Sequence, residues 1–351
     1  MPRRRGKTRT ADRAGNRRHR QVAQRAAFAG QEIERGPAKG AKAMIRLDDR
    51  TASAGTRGQR EIDNLLDRPY HLHCTVVAPQ RGRHKPGMPT PPPVIFDRVA
   101  RRLRRDNVAL RGQSPLEAGV ADELLERVDA VTRPFESALV INTGARALAT
   151  ALGKRGIAVT ETDHGVIFAV AASGVFTDED RLSVEQGQFD LVVMPSGLDT
   201  VDDVPGALIA ARRALRPGGL FLACLIGSPS LPVLREVASS IDAAEGRAVA
   251  RVHPQIDVRG AGDLLVRAGF ALPVADAETL RLSYSSLDKL TGDVRAAGLT
   301  NVLVERHAIS KGWLAAARAA FDQAADGSGR VTETVTLLVL TGWAPEAKVQ
   351  S

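Results

Sequence analysis

The chain has 351 residues, 43% of them hydrophobic, which suffices for a core in one large domain or two medium ones. No apolar run approaches the roughly 20 residues that span a bilayer, no signal-peptide apolar stretch is present, and Cys74 and Cys224 form neither a disulfide framework nor a metal knuckle. The net charge of +9 divides unevenly: residues 1–87 carry 21 Lys and Arg against 8 Asp and Glu, and the remainder carries 28 against 32. The basicity therefore belongs to the N-terminal segment, and a slightly acidic body argues against nucleic acid as its partner. A cytoplasmic protein without a membrane span is the expectation.

Residues 1–87 show no sustained period of 3.6 or 2 and read as a disordered basic extension. Three explanations compete for it. It could serve as an arginine-rich arm for RNA or anionic lipid, or as a mitochondrial presequence, which eight acids fit poorly. The third, preferred here, is a gene read from too early a start, with Met88 before Pro89-Thr90-Pro91-Pro92-Pro93 as the natural alternative. Residues 88–135 then read as N-terminal helices. VIFDRVARRLRRDNVAL, from Val94, spaces apolar and basic residues helically, and Pro115–Val131 places Leu116, Val120, Leu124, Leu125 and Val128 on one face. Arg101-Arg102 and Arg104-Arg105 are expected on a solvated face.

From residue 136 short apolar strands alternate with helices. Strands are predicted at Ala138–Ile141, Ile157–Thr160, Asp190–Met194 and Leu220–Ile226, with a weaker one at Gly174–Phe176. Helices are predicted at Arg146–Lys154, Val204–Leu215 and Leu231–Glu245. This alternation defines an α/β fold: a mostly parallel sheet with helices on both faces. The core is placed at 136–275. A C-terminal α/β portion at 276–351 completes the domain, with a β-branched strand at Arg330–Leu340.

Four signals carry chemistry. Asn142-Thr143-Gly144 follows the first strand, and Glu161 or Asp163 closes the second. Thr177-Asp178-Glu179-Asp180-Arg181-Leu182 precedes the fourth, and LRPGGLFL (Leu215–Leu222) turns from a helix into a strand, its proline and glycines suiting the turn. In this order they resemble a class I S-adenosylmethionine-dependent methyltransferase. PPPVIFDRVARRLRR, DEDRL, QFDLVV, VDDVPGALIAARRALRPGGLFLACLIG, DLLVRAGFALPVAD and LTGWAP are similar to one branch of that family, from about Pro91 to Pro345. The branch includes alphaproteobacterial proteins and the mitochondrial assembly factor of respiratory complex I, associated with arginine hydroxylation. The malonyl-carrier-protein methyltransferase of biotin synthesis is a more distant member.

The resemblance implies a Rossmann-like fold with S-adenosylmethionine in the crevice at the strands' carboxyl ends. It implies cofactor contacts from Asn142, Gly144, Asp163 (ribose), Asp178 (adenine) and Leu198. Phe96 and Asp97 are implied to line the cleft, and Glu179 to point elsewhere. The acceptor would be a small molecule or protein-borne, a respiratory-complex subunit among the candidates. The family's D-x-G-x-G-x-G reads Asn142-Thr143-Gly144-Ala145-Arg146-Ala147-Leu148 here, so an amide replaces the first acid, and Arg146 and Leu148 replace glycines. Arg146 would bring a cation towards a sulfonium, swing out to solvent, or pair with the methionine carboxylate. The family's Leu-His-Trp reads Leu198-Asp199-Thr200. These departures open the alternative of a non-methylating relative, either hydroxylase-like or a non-catalytic assembly factor. No catalytic base is visible. His164, His253 and His307 form no metal-ligand pair, and His253-Pro254 reads as a turn. Cys224 reads as a buried hydrophobe in a strand.

Overall fold

Ser137–Ile141 forms β1, a run so apolar that only a strand covered on both faces suits it, and Ala138, Leu139 and Val140 are fully buried. A computed structural model describes residues 94–109, 115–142 and 146–346. The basic extension and its proposed start therefore lie outside the described residues, as does Gly144. In chain order the elements are α1 (Arg98–Ala109), α2 (Pro115–Asp129), β1, α3 (Ala147–Lys154), β2 (Ala158–Asp163), α4 (Val166–Ala171) and β3 (Val175–Phe176). There follow β4 (Phe189–Met194), α5 (Val204–Ala214), β5 (Leu215–Gly227), α6 (Pro232–Ala244), α7 (Val258–Arg267), β6 (Ala271–Tyr284), α8 (Leu287–Ala296), α9 (Lys311–Gln323) and β7 (Val331–Trp343). Single 3₁₀ turns at Glu179–Arg181 and Leu198–Thr200 sit before and after β4.

The seven strands pair in the order β3-β2-β1-β4-β5-β7-β6. β1 to β5 are mutually parallel, and β7 enters antiparallel between β5 and β6. One core packs α5 and α7 on one face of the sheet, through Leu208, Ala211, Leu265, Phe221 and Leu338. A second packs α2 and α3 on the other face, through Leu124, Leu148, Leu152, Leu222 and Val339. A third joins α6, α8 and α9 around Trp313 and Phe321. The expected α/β sheet is thus formed.

Two details differ from the sequence expectation. The Arg-Pro-Gly-Gly turn is absorbed into β5: Leu215 already pairs with Phe189, and the register then shifts so that Leu191 faces Leu220. Gly218, at φ 71°, takes up the displaced residues as a bulge would. Strand β6 was not foreseen. Its residues are mostly exposed on an edge, so it lacks the buried run that reveals β1 and β4. It crosses residue 275 and pairs with β7 from Ala271 to Tyr284, carrying the C-terminal portion into the same sheet.

Candidate active site

The order of strands reverses at β1, which has β2 on one side and β4 on the other. Chain leaving the carboxyl ends of these strands diverges, and a crevice forms between the loops. Asn142 leaves β1, Asp163 ends β2, Asp178 and Glu179 follow β3, and Ser196 to Thr200 follow β4. Backbone bonds hold these ends in register: Asn142 N–H donates to Thr162 O at 2.8 Å, and Thr177 N–H to Asp163 O at 3.1 Å. Asp163, Asp178 and Glu179 are 0%, 5% and 1% exposed. Three carboxylates at that depth need positive partners.

Helix α1 supplies them. Arg98, Arg101, Arg102 and Arg105 are spaced i, i+3, i+4, i+7, so one face of the helix carries four guanidiniums. Arg105 forks onto Asp163 through Nε at 3.1 Å and Nη2 at 2.9 Å, while its Cζ lies 4.4 Å from the Phe168 ring centroid. Arg102 Nη2 donates to Asp178 at 2.7 Å, and Arg98 Nη1 reaches Asp178 at 3.1 Å and Asp180 at 2.9 Å. Arg101 Nη1 donates to Glu179 at 2.7 Å, its Nη2 bonds the other Glu179 oxygen, and its Nε donates to Thr200 at 2.8 Å. The solvated arginine face expected from sequence is corrected here: Arg101 and Arg105 are buried. A guanidinium fork satisfies a carboxylate bidentately, so both can leave water together. The i, i+3, i+4, i+7 spacing was the signal for this, and it reads equally well as a solvated stripe.

Glu179, expected to point elsewhere, is the centre of the cluster. Burial alone would raise its carboxyl pKa, but Arg101 and then His164 outweigh that and hold it well below the usual range. Asn142 Nδ2 donates to Glu179 and, at 2.9 Å, to Ser196 O, while Asn142 Oδ1 faces His164 Nδ1 at 2.8 Å. Gly197 (φ 103°) is required beside them, because a Cβ there would run into Asn142 Nδ2 and Glu179 Oε1. Burial, then Arg101, lowers the His164 pKa. Asp199 has its carboxyl pushed up by burial. Thr200 holds Arg101 by accepting from its Nε.

The amide at Asn142 now has a local reason: a carboxylate there would face Glu179 with no proton between them. Asn142→Asp should lower stability at pH 7 by about 2 kcal/mol, the scale of one hydrogen bond to a charged group. Chemical denaturation at pH 7 and pH 5 checks this. The deficit should shrink at pH 5, where the pair can share a proton. Equal stability at pH 7 would remove the explanation.

The other expected residues fall as follows. Arg146 does not enter the crevice: at φ 62° it turns onto β2, with Nη2 2.8 Å from Glu161 Oε1 and Nη1 3.2 Å from Ala171 O. The Leu198 side chain, 1% exposed, packs in the core with Met194 and Ile141. Phe96 packs edge-on against His253 and bridges to Leu303, and Asp97 caps α1 by accepting from Val99 and Ala100 N–H at 3.0 Å each. His253 accepts from Val302 N–H through Nε2 at 3.0 Å, a structural role. Cys224 is buried within β5, its thiol pushed up to about 12 by desolvation.

The donor chemistry suits the nucleoside half of an S-adenosylmethionine molecule. Asp163 and Asp178, at the end of β2 and after β3, are carboxylates of the kind hydroxyl and amino donors seek, and here both accept from guanidiniums of α1. Asn142, after β1, is an amide whose –NH₂ group is already committed to Glu179 and Ser196. A seven-stranded sheet in this order, with β7 alone reversed and acids at the switch point, is the class I methyltransferase fold.

Residues 141–223 match the methyltransferase domain family. It is 26% identical over 269 residues to a protein from Danio rerio named arginine-hydroxylase NDUFAF5, mitochondrial, covering 72% of this chain and 83% of that one. It is 31% identical over 176 residues to the malonyl-[acyl-carrier protein] O-methyltransferase of Xylella fastidiosa, covering 50% of this chain and 58% of that one. A crystal structure of a putative methyltransferase from Bacillus halodurans aligns with 64% of this chain and 98% of its own at TM-score 0.45 and 12% identity.

Proposed function

We propose that this protein binds S-adenosylmethionine in the crevice beyond β1, β2 and β4 and methylates an acceptor borne on a protein or carrier. The observation that carries the reading is the convergence of Asp163 and Asp178 at the switch point of a domain matching the methyltransferase family. Asp163 would hold the ribose hydroxyls and Asp178 the adenine edge. The cofactor would supply an electrophilic methyl group, and the chain's work is to orient the acceptor and exclude water. The relative named for malonyl-[acyl-carrier protein] takes an acceptor borne on a carrier protein, which favours an acceptor of that kind here.

Calorimetry of the full chain with S-adenosylhomocysteine tests the reading. Binding is expected, and Asp178→Asn should weaken it roughly tenfold or more, the loss of a hydrogen bond to a charged acceptor. A second reading, a non-methylating hydroxylase-like or assembly role, is favoured by the guanidinium ties on every cofactor-side acid. Absence of binding by the wild type and by variants with those ties cut would select it.

A further inference from the structure

Helix α1 is anchored at its start independently of the acids. Asp202 Oδ1 accepts from Ile95 and Phe96 N–H at 2.8 and 2.9 Å, and Asp97 pairs with Arg306 at 2.6 Å. From that anchor the four arginines reach the carboxylates one by one. Arg98 and Arg102 hold Asp178, Arg101 holds Glu179, and Arg105 holds Asp163. A guanidinium and a cofactor's hydroxyl or amino group are both donors, so they seek the same lone pairs on the same oxygens. With Asp163 at 0% exposure and both its oxygens on Arg105, a ligand has no approach to it while α1 stays seated.

From this we infer that α1 is a built-in competitor: its arginine face occupies the acids of the cleft, and cofactor binding proceeds by exchange, with α1 lifting as the ligand enters. The inference rests on the proposed cofactor reading. The grip is uneven along the helix. Arg101 and Arg105 are buried, whereas the Arg98 and Arg102 side chains are 29% and 36% exposed. The Arg102 Nε is buried without a partner, so that residue is held by its Nη2 bond to Asp178 and by the Phe176 ring 4.9 Å from its Cζ. The Asp178 end of the cleft is therefore where the seal is weakest and where exchange begins.

The test uses the full chain and S-adenosylhomocysteine as probe. Arg98→Ser with Arg102→Ser cuts both ties to Asp178 and leaves Asp163 and Glu179 paired. The double variant should bind roughly tenfold tighter by calorimetry. In hydrogen–deuterium exchange, ligand added to the wild type should speed exchange of amides 101–109 while β1 and β4 stay protected, and the unliganded double variant should show the same faster exchange. Wild-type binding with the same affinity as the variant, and no change in α1 exchange, would overturn the exchange mechanism while leaving the cofactor reading intact. No heat from either protein would overturn the cofactor reading, and the competitor role with it.

Discussion

Glu179→Ala should lower the stability of the fold by about 3–5 kcal/mol, the range for breaking a buried ion pair by removing one partner. The Glu179 and Arg101 side chains are 1% and 6% exposed. Removing the carboxylate leaves the Arg101 charge in a desolvated site with Thr200 and the Gly197 carbonyl as its remaining hydrogen-bond partners. Asn142 loses an acceptor and His164 a neighbouring charge in the same step. For a domain of this size the melting temperature should fall by roughly 6–20 °C. The double variant Arg101→Met with Glu179→Leu should recover most of the loss, since it removes both charges and retains volume. A single-variant loss below about 1 kcal/mol would put the pair in the class of surface salt bridges and sink the account of a buried cluster.

Stability should also fall by about 3 kcal/mol as the pH drops from about 6.5 to about 4, through His253. Its pKa is lowered to about 4, first by burial and then by Arg235, from an ordinary value of 6.5. The unfolded chain takes the proton first on acidification. The contribution is therefore fully present above pH 6.5 and is lost as the pH falls towards 4. The structural cause is plain: Nε2 accepts from Val302 N–H, and a protonated ring would present a second donor to a donor. His164, also lowered by burial, acts in the same direction, so the informative quantity is a difference. Denaturant titrations across this range should show a flatter profile for His253→Gln, whose amide oxygen can still accept from Val302. Parallel profiles for the two proteins would contradict a neutral buried imidazole.

Much of the sheet was legible because burial on both faces writes itself as an unbroken apolar run. Residues 138–141, 189–194 and 220–226 could hardly be anything but central strands. The acids at 163 and 178 were legible as residues at the ends of strands, through their place in the alternating pattern. Strand β6 was not, because an edge strand with one face in water needs no such run. For Arg146 the sequence left several outcomes open, and the fold chose among them: a left-handed backbone at φ 62° directs the side chain away from the strand ends and onto Glu161 on β2.

By itself, the sequence determined the α/β alternation, the excess of basicity in residues 1–87, and the placing of acids at the ends of the second and third strands. The tertiary structure alone decided what those acids touch. A stripe of four arginines is the same string of letters whether it faces water or carboxylates. The choice depends on where the loops after β2 and β3 stand when α1 docks, and those loops are separated from α1 by 58 to 82 residues of chain. Charge pairs over such distances leave no local period to read. Only the fold brings four guanidiniums onto four acids.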